Sequence, residues 1–337
     1  MATEPVDADF AEAFDRHRAE LLRHCYRMLG CFADAEDLVQ ETLLRAWRSR
    51  ATYSGDAPLR HWLMRIATNA CLNVLERQRP RQFPRLDVEA ASVESPLHEL
   101  EAAHWVTPAP DALLFPRPDS ALELREQVSL AFVALLQRLP PKQRAALLLK
   151  DVLGWPSQEI AQALELTPSS VNSALHRARR TMATAPTGQA DDPPVEVLRN
   201  YLRCWEERDL ETLVGLMRQD IAFTMPPFAT WFHGTVAVRQ FLQSPRFAAF
   251  WSRGLAAITT RANGLPAFGW YTPGSDEHWR LHSIHVMRFE ATMLVEATNF
   301  VGAYYLHGFD LPKKLPIARR RIKKSEKTAQ FDTPSGS

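Results

Sequence analysis

The sequence predicts a multidomain protein in which two all-α domains are followed by one α+β domain. In residues 10–80 and 120–185, apolar side chains recur at three- and four-residue spacing, which is typical of amphipathic helices. In residues 195–312, aromatic and β-branched residues concentrate in runs such as Ile221–Phe232 and Trp279–Val301, which are typical of strands. These two patterns divide the chain into helical parts and one part that mixes helices and strands.

Proline-rich and basic stretches mark the boundaries between these segments. Residues 80–119 contain seven prolines and no glycine, so we expect a stiff linker over 81–119 rather than a regular element. Residues 183–194 have the composition of a second turn or linker. The final segment, residues 313–337, carries eight Lys and Arg against two acidic residues, and we expect a basic disordered tail there.

Composition excludes several classes of protein. With 337 residues, 46% hydrophobic and 23% charged, the chain is ordinary globular material. Its longest apolar run, Leu130–Leu136, has seven residues, whereas a membrane helix needs about 20. We therefore expect no membrane contact and, because no apolar leader is visible, a cytoplasmic location. The four cysteines form no CxxC pair, which favours buried free thiols and predicts no metal and no cofactor.

Charge is strongly segregated, although the net charge is only +1. Residues 1–44 carry four basic and ten acidic residues, whereas residues 45–81 carry eight basic and two acidic ones. One small helical domain therefore has an acidic half and a basic half. This asymmetry indicates a polyanion on one surface and a different partner on the other.

The first segment reads as three helices. Gly30 is expected to end the first helix, and Asp34 to cap the second. The second helix buries the stripe that includes Ala35, Leu38 and Val39. A third helix is predicted from about Leu59 to Arg79 after a turn.

The second segment reads as a helix over Leu122–Leu139, a further helix over Lys142–Leu153, and then two short helices joined by a tight turn. Thr167 is expected to cap the last helix, with Pro168 in its first turn. Two short helices so connected are typical of a helix-turn-helix.

Several motifs resemble those of one protein family. The run Asp34–Trp47, the loop Tyr53–Asp56 and the helix Trp62–Ala70 resemble region 2 of the extracytoplasmic-function (ECF) sigma factors of the sigma-70 family. The segment Leu139–Trp155 with the helix-turn-helix resembles their region 4. Residues 195–312 resemble the SnoaL-like cone domain found at the C-terminus of one ECF group. The resemblance implies a protein that binds core RNA polymerase and promoter DNA, without chemistry of its own.

The resemblance also implies three sets of functional residues. Three polar residues of the second helix would dock on the clamp helices of the largest polymerase subunit: Asp37, Gln40 and Glu41. Residues of the following loop and third helix would bind the minus-10 element: Tyr53, Ser54, Gly55, Arg60, Arg65, Asn69, Asn73 and Arg77. In that set, amides and the tyrosine ring suit an extruded base, and arginines suit phosphates.

The third set lies on the second helix of the helix-turn-helix, whose N-terminal residues would enter the major groove at the minus-35 element. Its members are Ser169, Ser170, Asn172, Ser173, His176 and Arg177. Asn can bind adenine and Arg guanine through two hydrogen bonds. Trp62 is expected in the core, with DNA contact as the alternative.

The third domain leaves more than one function open. Phe223, Met225, Trp231, Phe232 and Trp270 are expected near an apolar interior, together with His282 and His285. Because these histidines are three residues apart, we expect them to face opposite ways on a strand. No acid–base pair with suitable spacing is visible, so no catalytic residue is assigned. A regulatory brace is favoured, with small-ligand binding as an alternative.

Two rival hypotheses remain for the whole chain. One is a helix-turn-helix regulator fused to an enzyme of the polyketide-cyclase or isomerase kind. The other is an ordinary repressor or activator, which has no need of the acidic helix.

Overall fold

The structure is a computed structural model, and it describes residues 4–55, 57–83, 90–91, 95–116, 122–183 and 192–316. Most of the predicted basic tail, residues 317–337, lies outside the described residues. Within the described ranges, no helix is long and apolar enough to cross a membrane. The predicted fold class is confirmed, because helices are followed by a domain with a seven-stranded sheet.

The first domain consists of three helices, α1 (Glu4–Leu29), α2 (Phe32–Ser49) and α3 (Leu59–Leu75). Gly30 ends α1 as predicted, because its φ of +68° cannot continue a right-handed helix. The predicted stripe of α2 is buried, including Ala35, Leu38 and Val39. Cys25 and Cys71 are also fully buried in this core as free thiols.

Two local predictions for this domain are wrong. Asp34 does not cap α2: the helix already begins at Phe32, and Cys31 holds the cap position. The Asp34 carboxylate instead accepts a hydrogen bond from Arg81 Nη2 at 2.6 Å. Helix α3 ends at Leu75 rather than at Arg79.

The expectation of no regular element in the linker is wrong at one point, because Asp111–Leu114 form a short helix, α4. The second domain is built from α5 (Leu122–Glu126), α6 (Leu130–Gln137), α7 (Pro141–Leu147), α8 (Ser157–Ala163) and α9 (Pro168–Met182). The helix predicted over Leu122–Leu139 is in fact two, because Ser129 caps α6 by accepting a hydrogen bond from the Phe132 N–H at 3.3 Å. Helix α7 continues as one π-helical turn, Leu148–Val152. The caps predicted for α9 are confirmed, with Thr167 Oγ1 accepting from the Ser170 N–H at 3.1 Å and Pro168 in the first turn.

The third domain contains four helices and seven strands. The helices are α10 (Val195–Glu207), α11 (Leu210–Gly215), α12 (Gly234–Gln243) and α13 (Pro245–Trp251). The strands are β1 (Met217–Thr224), β2 (Trp231–His233), β3 (Ala256–Ala262), β4 (Leu265–Pro273), β5 (His278–Glu290), β6 (Met293–Val301) and β7 (Lys314–Pro316). The sheet order is β2-β1-β6-β5-β4-β3, and β7 pairs with the start of β5. Only the β1–β6 pair is parallel.

The two faces of this sheet bury different neighbours. One face, with Phe268, Met287 and Ala297, packs against the helices of its own domain. The opposite face, with Ile284 and Phe300, belongs to the apolar cluster that runs through both helical domains. The third domain is therefore joined to the helical part of the chain by a shared core.

The turn between β3 and β4 inserts a buried asparagine into this junction. Asn263 Nδ2 donates to the Tyr26 hydroxyl of α1 at 2.8 Å and to the Val128 carbonyl at 2.7 Å. Its Oδ1 accepts from the Ala109 N–H at 2.9 Å. Asn263 is only 1% exposed and adopts φ +56°, which Asn tolerates better than other non-glycine residues. One side chain thus bonds to three segments of the helical part.

Part of the predicted linker lies between the first and third domains. The Thr107 N–H donates to the Gly30 carbonyl of the first domain at 3.0 Å, and within the linker the Val106 N–H donates to the Gln82 carbonyl at 2.8 Å. On the other side, the Leu100 N–H donates to the Pro227 carbonyl at 3.0 Å. This part of the linker is fixed by backbone hydrogen bonds to both neighbours.

The joint between the two helical domains contains a buried polar network beside the shared apolar cluster. Arg144 of α7 is 1% exposed, and its guanidinium donates to Gln137 Oε1 at 2.6 Å, to the Leu139 carbonyl at 3.1 Å and to the Met28 carbonyl of α1. Gln137 Nε2 in turn donates to the Arg27 carbonyl at 3.1 Å. The carbonyls at the C-terminal ends of α1 and α6 carry partial negative charge, which suits a buried cation.

Replacing Gly30 tests this joint. A Cβ at Gly30 would lie 2.9 Å from Cδ of Gln137, whose side chain is held by hydrogen bonds. We expect Gly30→Ala to destabilise the protein by about 2–3 kcal/mol, which combines the left-handed backbone cost with disturbed hydrogen bonds. Gly154→Ala is the matched control, because Gly154 has φ +75° and nothing within 4 Å of the added Cβ. The measurement is the urea midpoint of unfolding, and equal shifts for both variants would contradict a role for Gln137.

Candidate nucleic-acid interface

The outer face of α2 presents the residues predicted to contact polymerase. Asp37 and Gln40 are exposed, and Glu41 is half-buried with its carboxylate 2.7 Å from Arg45 Nε. Leu44, one turn further along, is 50% exposed. An exposed leucine among charged side chains is typical of a surface that a partner covers.

The loop after α2 is organised around an aromatic pair. The Tyr53 ring lies 5.3 Å from the Trp62 ring, and the Tyr53 hydroxyl donates to the Ala57 carbonyl at 2.8 Å. Trp62 is half-buried and packs against the first domain's core, so it lies at the border between core and surface. Ser54 and Gly55 are exposed beside the pair, and Gly55 has φ +80°.

Helix α3 places three of the predicted minus-10 residues in one row. Arg65, Asn69 and Asn73 are four residues apart and all exposed. At 1.5 Å per residue, the row is about 12 Å long. Arg77 is exposed just beyond the end of the helix.

Arg60 differs from the other predicted phosphate contacts. Its Nε lies 2.8 Å from Oε1 of Glu20 in α1, and both side chains are less than one-third exposed. The hydrogen bonds that Arg60 donates to this carboxylate raise the pKa of Arg60. The structure therefore places Arg60 in an ion pair between α1 and α3. Residue spacing in the sequence does not predict this contact.

Helix α9 exposes one complete face. Its buried residues are Val171, Ala174, Leu175 and Ala178, and these fix its orientation against α7 and α8. All six residues predicted to read the minus-35 element are exposed: Ser169, Ser170, Asn172, Ser173, His176 and Arg177. All but Ser170 line one shallow depression.

Neighbouring contacts distinguish two arginines of α9. Arg179 Nε lies 2.9 Å from Oδ2 of Asp151, so this side chain is bonded to the preceding π-helical turn. Arg177 lines the depression instead.

The interior of the third domain is filled with aromatic side chains. The predicted interior residues Phe223, Met225, Trp231, Phe232 and Trp270 are all buried. His285 is also buried, with Nε2 2.8 Å from the Tyr201 hydroxyl, and burial lowers its pKa to about 4.

A β-bulge changes the expectation for the two histidines of β5. Ser283 pairs with Trp270 while Leu281 pairs with Tyr271, so His282 is an extra residue in the ladder. Side chains of β5 therefore do not alternate strictly between the two faces of the sheet at this point. The His282 ring lies 5.4 Å from Phe250 of α13, and burial lowers its pKa.

Three known families match successive parts of the chain. Residues 13–81 match sigma-70 region 2, residues 129–182 match sigma-70 region 4, and residues 198–297 match the SnoaL-like domain.

The chain is also similar over nearly all its length to the ECF RNA polymerase sigma factor SigG of Mycobacterium tuberculosis, with 39% identity that covers 93% of this chain and 87% of SigG. The chain belongs to the ECF sigma factors. A second relative of this ECF sigma factor is SigJ of the same organism, which is 29% identical over 63% of each chain. The crystal structure of SigJ has the same fold: it superposes with a TM-score of 0.59 at 23% identity and covers 90% of this chain and 100% of that chain.

Proposed function

We propose that this ECF sigma factor binds core RNA polymerase through α2, recognises the minus-10 element through α3 and the preceding loop, and recognises the minus-35 element through α9. The observation that carries the proposal is the exposed face of α9. Six polar side chains cover it while its apolar residues are buried. No chemistry of its own is part of this function.

The polar row on α3 supports the minus-10 part of the proposal. Amides of Asn69 and Asn73 can hydrogen-bond to base edges, and Arg65 and Arg77 can contact phosphates. The Tyr53–Trp62 pair offers an aromatic surface next to this row. Arg60 positions α3 through Glu20 in this proposal rather than binding DNA.

The fused SnoaL-like domain is proposed to act as a regulatory brace. Asn263 and the shared apolar cluster attach it to the helical domains, so a change in its docking would alter how they are held. The rival reading of an enzyme fused to a helix-turn-helix regulator is not favoured, because the relatives named above are sigma factors over both helical domains and beyond.

Charge reversal on α2 tests polymerase binding. We expect the double variant Asp37→Lys, Glu41→Lys to reduce promoter-specific run-off transcription at least tenfold, because both acidic groups lie on the surface assigned to the clamp helices. Glu196→Lys, at an exposed position of α10 in the third domain, is the control for an added positive charge. The assay uses bacterial core polymerase and promoters selected from a genomic library. Unchanged initiation by the double variant would contradict the assignment of α2.

Two arginines of α9 provide a test variant and a matched control for recognition of the minus-35 sequence. Arg177→Ala should cost about 1–3 kcal/mol of binding to the preferred minus-35 sequence and relax the preference at one base position. Arg179→Ala should leave that base preference unchanged, since its guanidinium is bonded to Asp151. Binding is measured by competition between selected and scrambled duplexes at fixed salt. A loss of preference in both variants alike would argue against specific reading by Arg177.

Asn263→Gly tests the brace while keeping the left-handed backbone. Without the side chain, the Ala109 N–H loses its acceptor, and we expect its hydrogen exchange to accelerate at least tenfold, corresponding to about 1.4 kcal/mol or more. Amides in the β5–β6 ladder serve as the internal control. Promoter-specific transcription should change several-fold in the same variant. Faster exchange with unchanged transcription would remove the regulatory role but leave the docking intact.

A further inference from the structure

One buried hydrogen bond connects α1 to the middle of α3. His24 Nε2 lies 2.9 Å from Oγ1 of Thr68, and the two residues are 1% and 0% exposed. Thr68 Oγ1 also donates to the Met64 carbonyl at 2.7 Å, one turn earlier in α3. Because that bond uses the hydroxyl proton, Thr68 accepts from His24, and the ring proton of His24 therefore lies on Nε2.

The His24 ring is neutral in this position. Burial, and then the positive charge of Arg27, lower the pKa of His24 to about 3, although Glu20 opposes them. A neutral imidazole carries a single N–H. Since that one donor is directed at Thr68, the bond is satisfied in only one relative position of α1 and α3.

The apolar contacts near this bond do little to fix the rotation of α3. Helix packing is set by side-chain ridges that fit into grooves, and small side chains form low ridges. Cys25, next to His24 on α1, is small and buried, and the larger Leu63 and Met64 of α3 lie about one turn before Thr68. The other buried residues of α3 on either side of Thr68 are small as well: Ala67, Ala70 and Cys71.

The rotation of α3 matters because the proposed minus-10 residues occupy another side of the same helix. Arg65, Asn69 and Asn73, here called the α3 row, are exposed, whereas Thr68 is buried. Successive residues of an α-helix are about 100° apart, and Asn69 directly follows Thr68. Rotating α3 by one residue would therefore turn the α3 row away from its present direction and leave the His24 N–H without its acceptor.

We propose that His24 is a positioning residue for minus-10 recognition, because its hydrogen bond to Thr68 fixes the rotation at which α3 presents the α3 row to DNA. This inference rests on the proposed function of α3. His24 contacts no base in this role, and it acts through Thr68 on the neighbouring Asn69. Apolar burial stabilises the core as a whole, whereas a fully satisfied buried hydrogen bond specifies one arrangement of it.

Removing the Thr68 hydroxyl tests this role in the full chain bound to core RNA polymerase. We expect Thr68→Val to reduce the preference for the minus-10 element over base-substituted versions at least threefold, and to leave the minus-35 preference unchanged. Thr42→Val is the matched control, because Thr42 is also 0% exposed and its Oγ1 donates to the Leu38 carbonyl at 2.8 Å within α2. Each preference is the ratio of two affinities for forked promoter duplexes at fixed salt.

Two further variants separate positioning from stability. Thr68→Ser retains the hydroxyl and should retain the minus-10 preference. The double variant His24→Leu, Thr68→Val replaces both polar partners by apolar groups, so no buried donor is left without an acceptor. Its urea midpoint should recover relative to that of Thr68→Val, while its minus-10 preference stays low.

The outcomes separate the positioning role from the proposed function. The positioning role is refuted if Thr68→Val keeps the full minus-10 preference, if Thr42→Val or Thr68→Ser loses as much of it, or if the double variant regains it with its stability. Asn69→Ala tests the reading by α3 itself and should alter the preference at one base position. If Asn69→Ala has no effect, the reading by α3 fails and the positioning role falls with it. If only Asn69→Ala has an effect, the reading stands and the positioning role fails.

Discussion

The arrangement of the three domains depends on the hydrogen bonds of one buried side chain, Asn263. Its amide satisfies the Ala109 N–H, the Val128 carbonyl and the Tyr26 hydroxyl, which come from the linker, the second domain and α1. Each of these groups is buried, and a buried polar group without a partner costs about 1–3 kcal/mol. The Tyr26 hydroxyl has a second partner, because it donates to the Thr107 carbonyl at 2.7 Å. Separating the third domain from the helical domains would therefore be unfavourable unless water replaced the hydrogen bonds that Asn263 makes. Arg261, two residues earlier, adds an ion pair with Asp111 at 3.2 Å.

The sequence predicted the elements of the helical domains better than their junctions. The cap at Thr167, the stop at Gly30 and the buried stripe of α2 follow from local rules, and each is present. The Asn263–Gly264 pair between two apolar runs could also have indicated a hairpin turn. Its contact with Tyr26, 237 residues away, depends on how separate domains meet, and no spacing rule encodes that.

The candidate interface shows the same contrast between local features, which the sequence predicts, and contacts between distant residues, which it does not. Exposure of the α9 face follows from helical periodicity, because its apolar positions define the opposite side. The contacts of Arg60 and His61 do not, because each is made with a partner distant in the chain: Glu20 for the first, and Trp155 with Glu159 for the second. The bulge in β5 that breaks strict alternation at His282 likewise arises from pairing with β4, which the sequence of β5 alone does not specify.

The two joints differ in the chemistry of their central groups. Between the first and third domains, the sheet contributes Ile284 and Phe300 to a continuous apolar cluster with Phe32, so separation would expose apolar area to water. Between the two helical domains, the central group is Arg144, and burial lowers its pKa to about 10 because carbonyls and amides, not a carboxylate, surround it. Returning this guanidinium to water recovers hydration energy that offsets the lost hydrogen bonds. The apolar cluster also continues between the two helical domains, and Asn263 bonds the third domain to Val128 of the second, so separating the second domain costs more than the loss of the Arg144 network alone.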